Sequence, residues 1–273
     1  MIKSILCLTD FSPVAHNGLE YAANLAKLLS AKITLMHVRP TIWPEAVQLV
    51  QEREQSNAEI TDLLQRSSDL VKENYQVPCA VQLVSTIDTL EQVVAASSQN
   101  FDLVVMGTSG ADDYYQLIFG SNSYRVLEGV RCPVLVVPLG YQFKKPIQIV
   151  YAYDPHTNPI FWVDTLVDFA NSLEVSVSVY YVMEDERSPE TERLLDVVRH
   201  AILARLHKKV KWQFEADFSN DAAWSIEQYV NRKQPDIVAL SYHHRSVAES
   251  VFEKNTIKQA IMTFNCPMLV FWH

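Results

Sequence analysis

The residues best suited to hold a ligand are three glycines and the small polar run that follows them. Gly107 directly follows the apolar run Leu103–Met106, Gly110 comes after two residues, and Gly120 after nine more, leading into Ser121-Asn122-Ser123. Glycine permits positive φ and close approach of backbone to a ligand. A glycine at the end of an apolar strand predicts a sharp turn at the carboxyl edge of a sheet, where open α/β folds take ligands. Gly120, Ser121 and Ser123 predict hydroxyls and free N–H donors at a helix N-terminus, a seat for phosphate. The alternative reading is a glycine-containing loop with a serine helix cap. The distribution favours the first: all six glycines (18, 107, 110, 120, 129 and 140) fall in the first 140 residues, and the second half has none.

Other constellations carry less. His243-His244, with His200 or His207, invites a metal reading, but adjacent residues off a strand point in opposite directions, so no metal site is assigned. Cys7, Cys79, Cys132 and Cys266 form no CxxC pair and read as buried thiols of a reducing compartment. Asp10, Ser12 and His16 lack a nucleophile-elbow pattern, so a hydrolytic triad is dismissed. No lysine follows a Walker-type loop, and Asp10 is the sole evident base; binding is expected rather than catalysis, with no catalytic residue assigned.

The elements that must position these residues alternate. Strands are expected at Ile5–Leu8, Ile33–Val38, Ala80–Val84, Leu103–Met106 and Val134–Val137. Helices are expected over 13–29, 46–74, 90–98 and 123–128. Short, continuously apolar strands alternating with helices imply a parallel sheet covered on both faces, doubly wound by right-handed crossovers. The second half repeats the order, with strands at Ile147–Tyr151, Ser176–Val182, Trp212–Phe214, Ile237–Leu240 and Met268–Phe271. Its aromatics Trp162, Tyr180, Tyr181, Trp212, Trp224 and Trp272 are assigned to core and interface.

Two matches make the repetition concrete. Phe101-Asp-Leu-Val-Val-Met106 aligns with Pro235-Asp-Ile-Val-Ala-Leu240, and Arg131-Cys-Pro-Val-Leu-Val136 with Asn265-Cys-Pro-Met-Leu-Val270, both 134 residues apart (236 − 102 and 266 − 132). The second half is therefore read as a copy of the first. The fold class is α/β, with two tandem doubly wound, Rossmann-like domains, 1–140 and 145–273, each with a five-stranded parallel sheet, meeting near Tyr141–Pro146. A net charge of −9 argues against nucleic acid as partner and against attraction to anionic membrane. Met1–Asp10 is too short for a signal-peptide core and no apolar run reaches membrane-spanning length, so a cytoplasmic protein is expected.

At these residues the sequence resembles the universal stress protein family. The resemblance rests on Met106-Gly107-Thr108-Ser109-Gly110, nine residues, Gly120-Ser121-Asn122-Ser123, the strand Cys132–Val137, and the opening Ile5–Ser12. It implies ATP binding through the first half. Thr9 and Asp10 would lie against the nucleoside, and Val38 would offer backbone bonds to adenine. Met106 and Gly107 would flank the ribose, and Gly110, Gly120, Ser121, Asn122 and Ser123 would hold the phosphates. A divalent ion such as Mg²⁺ would accompany ATP, held by phosphate oxygens and water. Asp112 and Asp113 are read as solvated loop carboxylates. The last strands of the two halves would meet across a pseudo-twofold axis as an internal dimer, and pairing of chains into a homodimer is a further expectation. In the second half Ser241, His244, Lys254, Asn255, Thr256 and Ile257 occupy the matching positions, so that half is expected not to bind ATP. A nucleotide-free scaffold and a slow ATPase or phosphotransferase are the competing readings.

Overall fold

The computed structural model describes residues 2–40, 47–108, 126–127, 129–153, 160–183, 189–204, 210–242 and 264–272. Gly110, Asp112, Asp113, Gly120, Ser121, Asn122, Ser123, His207, His243, His244 and the run from Lys254 to Ile257 lie outside the described residues, as does most of the helix expected over 123–128.

In the first half the elements run β1 (Ser4–Leu8), α1 (Pro13–Leu29), β2 (Lys32–Pro40), α2 (Val47–Tyr75), β3 (Cys79–Thr86), α3 (Leu90–Ser98), β4 (Leu103–Thr108) and β5 (Val134–Pro138). In the second they run β6 (Gln148–Ala152), α4 (Ile160–Leu173), β7 (Ser176–Met183), α5 (Pro189–Leu203), β8 (Trp212–Phe218), α6 (Ala222–Lys233), β9 (Ile237–Tyr242) and β10 (Met268–Trp272). The ten strands form one sheet in the order β3-β2-β1-β4-β5-β10-β9-β6-β7-β8. Each set of five is internally parallel, and the two sets join through antiparallel β5 and β10.

Alternation along each strand sends side chains into two cores. Cys7, Leu35, Val105 and Val137 point to the layer covered by α1 and α2. Leu6, Met36, Met106 and Val136 point to the layer covered by α3 and residues 126–127. At the seam Leu135 lies opposite Leu269, both fully buried. These are equivalent residues of the two copies (269 − 135 = 134), so a pseudo-twofold axis passes between them.

Two details explain the repeated Asp. Asp102 Oδ2 accepts from the Lys3 and Ser4 N–H groups, each at 2.8 Å, pinning the start of β1 to the start of β4. Asp236 Oδ2 likewise accepts from Ile147 N–H at 2.8 Å and Gln148 N–H at 3.0 Å, while its Oδ1 pairs with Lys144 Nζ at 2.7 Å. The segment between the halves is held on both sides. Phe143 meets Tyr21 of α1 edge-on at 5.0 Å, and the Tyr141 hydroxyl donates to the Asp236 carbonyl at 3.4 Å.

Burial acts to raise the Asp236 pKa, but Lys144 and the two N–H groups outweigh it and hold the carboxyl below its usual range. An ionised Asp236 thus stabilises the fold above the unfolded carboxylate value of about 4, and that contribution is lost as pH falls through the lower folded value. Asp236→Ala orphans two N–H groups and is expected to cost roughly 1–3 kcal/mol at pH 7. The deficit should shrink near pH 3, and the more exposed Asp102→Ala should cost less; urea titrations at both pH values measure this.

Candidate functional site

A strand order of 3-2-1-4-5 makes the chain leave β1 on one side and return on the other, so among the described residues no connection crosses the carboxyl ends of β1 and β4. That topological switch point is where such sheets bind ligands. Thr9 and Asp10 lie at one lip, immediately after β1, and Met106 and Gly107 at the other, near the end of β4.

The turn after β1 is built from short polar contacts. Thr9 N–H donates to the Met36 carbonyl at 2.9 Å, continuing the ladder by one residue. Its Oγ1 accepts from Phe11 N–H at 3.0 Å, and Phe11 takes a left-handed φ of 64° that bends the chain away. His37 Nδ1 meets the Thr9 carbonyl at 2.8 Å; a carbonyl only accepts, so this nitrogen carries the proton. Asp10 is exposed, and its Oδ1 accepts from Ser12 N–H at 3.0 Å. Ser12 caps α1 by accepting from Ala15 N–H at 3.2 Å.

Val38 is placed by the register. Met36 turns its carbonyl toward β1, and N–H and C=O groups two residues along a strand point the same way, so Val38 directs its main-chain groups to the side where β1 has already ended. Its half-buried side chain packs, like those of Val84 and Leu90, against the layer that holds Met106.

Gly107 departs from expectation. It lies inside β4, in register with Val137, and makes no turn; the strand continues to Thr108. Its reason for being glycine is the helix above it: a Cβ would stand 2.1 Å from the Val14 carbonyl oxygen. Gly18 of α1 makes the reciprocal contact, where a Cβ would stand 2.8 Å from Gly107 N. Sequence reasoning gave Gly18 no role. Its signal was available, because glycine inside a helix costs about 1 kcal/mol against alanine and invites a packing explanation.

The second half differs at the matching place. Strand pairing and helix ends there run 144 residues on: Ser4↔Lys32 matches Gln148↔Ser176, and the left-handed caps Ser30 and Glu174 correspond. Cys7 and Thr9 thus become Tyr151 and Tyr153, both fully buried with ring centroids 6.0 Å apart. Gly107 becomes Ser241, whose Oγ lies 3.1 Å from the Tyr151 hydroxyl. Tyr180 is buried and stacks on Tyr229 at 3.8 Å, and Tyr181 and Trp212 pack partly buried against the core. Trp224 does not fill the core: it is 58% exposed, because it follows the Asp221 cap in the first turn of α6, outside the apolar stripe of Ile226, Tyr229 and Val230. The side chains of Trp162 and Trp272 lie outside the described residues.

Among the described residues no cluster of three or more His, Cys, Asp or Glu side chains is placed to share a metal, and no helix is long and apolar enough to cross a membrane. The four cysteines are buried free thiols. Burial pushes Cys132 and Cys266 up to about 12, and raises Cys7 and Cys79 as well.

Comparison with known proteins agrees with this architecture. The model of the universal stress protein family matches residues 1–138. A universal stress protein of Methanocaldococcus jannaschii is 27% identical over 147 residues, 50% of this chain and 82% of that protein. One from Synechocystis is 22% identical over 294 residues, covering 99% of this chain and 100% of that protein, as two such units in one chain require. The crystal structure of a universal stress protein from Archaeoglobus fulgidus matches with a TM-score of 0.75 at 16% identity, covering 98% of each chain.

Thiols held this far from ionisation are poor nucleophiles. An aromatic disulfide reagent at pH 8 is expected to leave all four cysteines unlabelled in the folded protein and to label them in urea, read by absorbance of the released thiolate.

Proposed function

We propose, from the premise that the chain belongs to the universal stress protein family, that its first half is an adenine-nucleotide-binding module of a cytoplasmic stress-response protein. Residues 1–140 form the nucleotide unit and 145–273 its ligand-free partner unit. ATP is the intended ligand, and the protein serves as a nucleotide-dependent regulator rather than a catalyst.

The single observation carrying this reading is the topological switch point between β1 and β4, flanked by Thr9, Asp10, Met106 and Gly107, with Val38 presenting main-chain groups from the neighbouring strand. These groups fit a nucleoside. An edge of main-chain N–H and C=O reads the adenine edge by hydrogen bonds, and an exposed carboxylate accepts from ribose hydroxyls or an exocyclic amine. The triphosphate falls to Gly110, Gly120, Ser121, Asn122 and Ser123, whose spacing supplies backbone N–H groups and hydroxyls. Mg²⁺ accompanies the phosphates and is held by their oxygens and water. Asp10 is committed to orienting its own turn, and no described group is poised to activate a water, which favours binding over hydrolysis.

In the second half larger side chains stand at the matching positions: Tyr151 and Tyr153 replace Cys7 and Thr9, and Ser241 replaces Gly107. That supports a single nucleotide per chain.

Titration calorimetry with ATP and Mg²⁺ tests the proposal. One equivalent should bind the wild-type chain, and Gly120→Trp should abolish binding while leaving the cooperative melt intact. Two bound equivalents, or undiminished affinity in Gly120→Trp, would refute it. Phosphate release that scales with protein and disappears in Gly120→Trp would move the assignment to an ATPase.

A further inference from the structure

Gly18 lies at the midpoint of the contact between α1 and β4, one turn into the helix from the cleft. A methyl group there would stand 2.8 Å from Gly107 N and 3.3 Å from Gly107 Cα and the Met106 carbonyl carbon, all backbone atoms that cannot rotate aside. The opposing Gly107 would drive its own Cβ into the Val14 carbonyl. Two main chains therefore touch without an intervening side chain, and Cys7, fully buried on the same layer, keeps the neighbouring strand small as well.

The copy in the second half breaks all three positions together. Through the 144-residue correspondence of β1–α1 with β6–α4, Gly18 matches Trp162 and Cys7 matches Tyr151; through the 134-residue correspondence of β4 with β9, Gly107 matches Ser241. Positions that carry glycine, glycine and cysteine in one half carry tryptophan, serine and tyrosine in the other, and of the latter Ser241 and Tyr151 are buried with their hydroxyls 3.1 Å apart. Enlarging Gly18 or Gly107 alone drives a methyl group against backbone, because close packing leaves no room for an unmatched increase in volume.

We infer that Gly18 is a positioning residue for the nucleotide site, seating α1 on β4 so that the turn Thr9–Ser12 meets the lip formed by Met106 and Gly107. The inference rests on the nucleotide reading of the first half. The coupling runs through the cap: lifting α1 moves Ser12, which holds Ala15 N–H, and with it Asp10, which holds Ser12 N–H.

The test compares Gly18→Ala with Gly129→Ala. Gly129 makes a similar 2.8 Å approach, but to the Ala95 side chain beneath α3, so it controls for packing strain away from the cleft. Both variants should melt below wild type. Gly18→Ala alone should lose about tenfold or more in ATP affinity and most of the melting shift that ATP induces, since small misplacements of a binding group cost on that order. If Gly18→Ala is unfolded in buffer, the titration is run with trimethylamine N-oxide, which favours the compact state. Wild-type affinity in Gly18→Ala, or an equal loss in Gly129→Ala, would overturn this inference alone. Failure of the wild-type chain to bind ATP would overturn the nucleotide reading and this inference with it.

Discussion

A helix backbone can rest on a strand backbone only where neither carries a side chain, and the first half of this chain is organised about one such contact. Gly18 above Gly107 fixes the height of α1 over the sheet. Asn17, the preceding residue, adds a lateral tie by donating from Nδ2 to the Pro138 carbonyl at 2.9 Å, so the helix is located against both β4 and β5. Everything at the carboxyl edge follows from that seating, because the Asp10 turn is the short lead from β1 into this helix.

The opposite edge of the sheet is governed by charge and hydrogen bonding. Asp102 and Asp236 each gather two successive N–H groups at the start of the first strand of their half, where a ladder has not yet begun and donors would go unpaired. The two ends of each sheet thus have separate tasks. The amino edge is closed by carboxylates that the fold needs, and toward the carboxyl edge Cys7, Thr9 and Gly107 of one half stand where the other has Tyr151, Tyr153 and Ser241.

Much of this was legible in the residues. Continuous apolar runs and their alternation with helices yielded the parallel strands, and α1 (Pro13–Leu29) and α3 (Leu90–Ser98) coincide with the helices expected there. Strand ends were extended by the structure, as at Trp212–Phe218, where Glu215 and Asp217 interrupt the apolar pattern but occupy an outer strand open to solvent. Gly107 was located at the right edge for the wrong reason. Its pattern with Gly110 suggests a turn, whereas the constraint comes from Val14 and Gly18, some ninety residues away in sequence, and no local window reports a contact of that range. Trp224 was misjudged because hydrophobicity alone does not say which side of a helix faces the core.

The antiparallel union of β5 with β10 leaves neither strand free to pair with another chain. Among the described strands, pairing between copies is left to the outer strands β3 and β8. Joining the two units in one polypeptide also makes their encounter intramolecular, at an effective concentration that separate subunits would have to reach in solution. Assembly then no longer depends on both halves retaining the same ligand chemistry. One copy carries Tyr151 and Tyr153 where the other keeps Cys7 and Thr9, and it still completes the sheet.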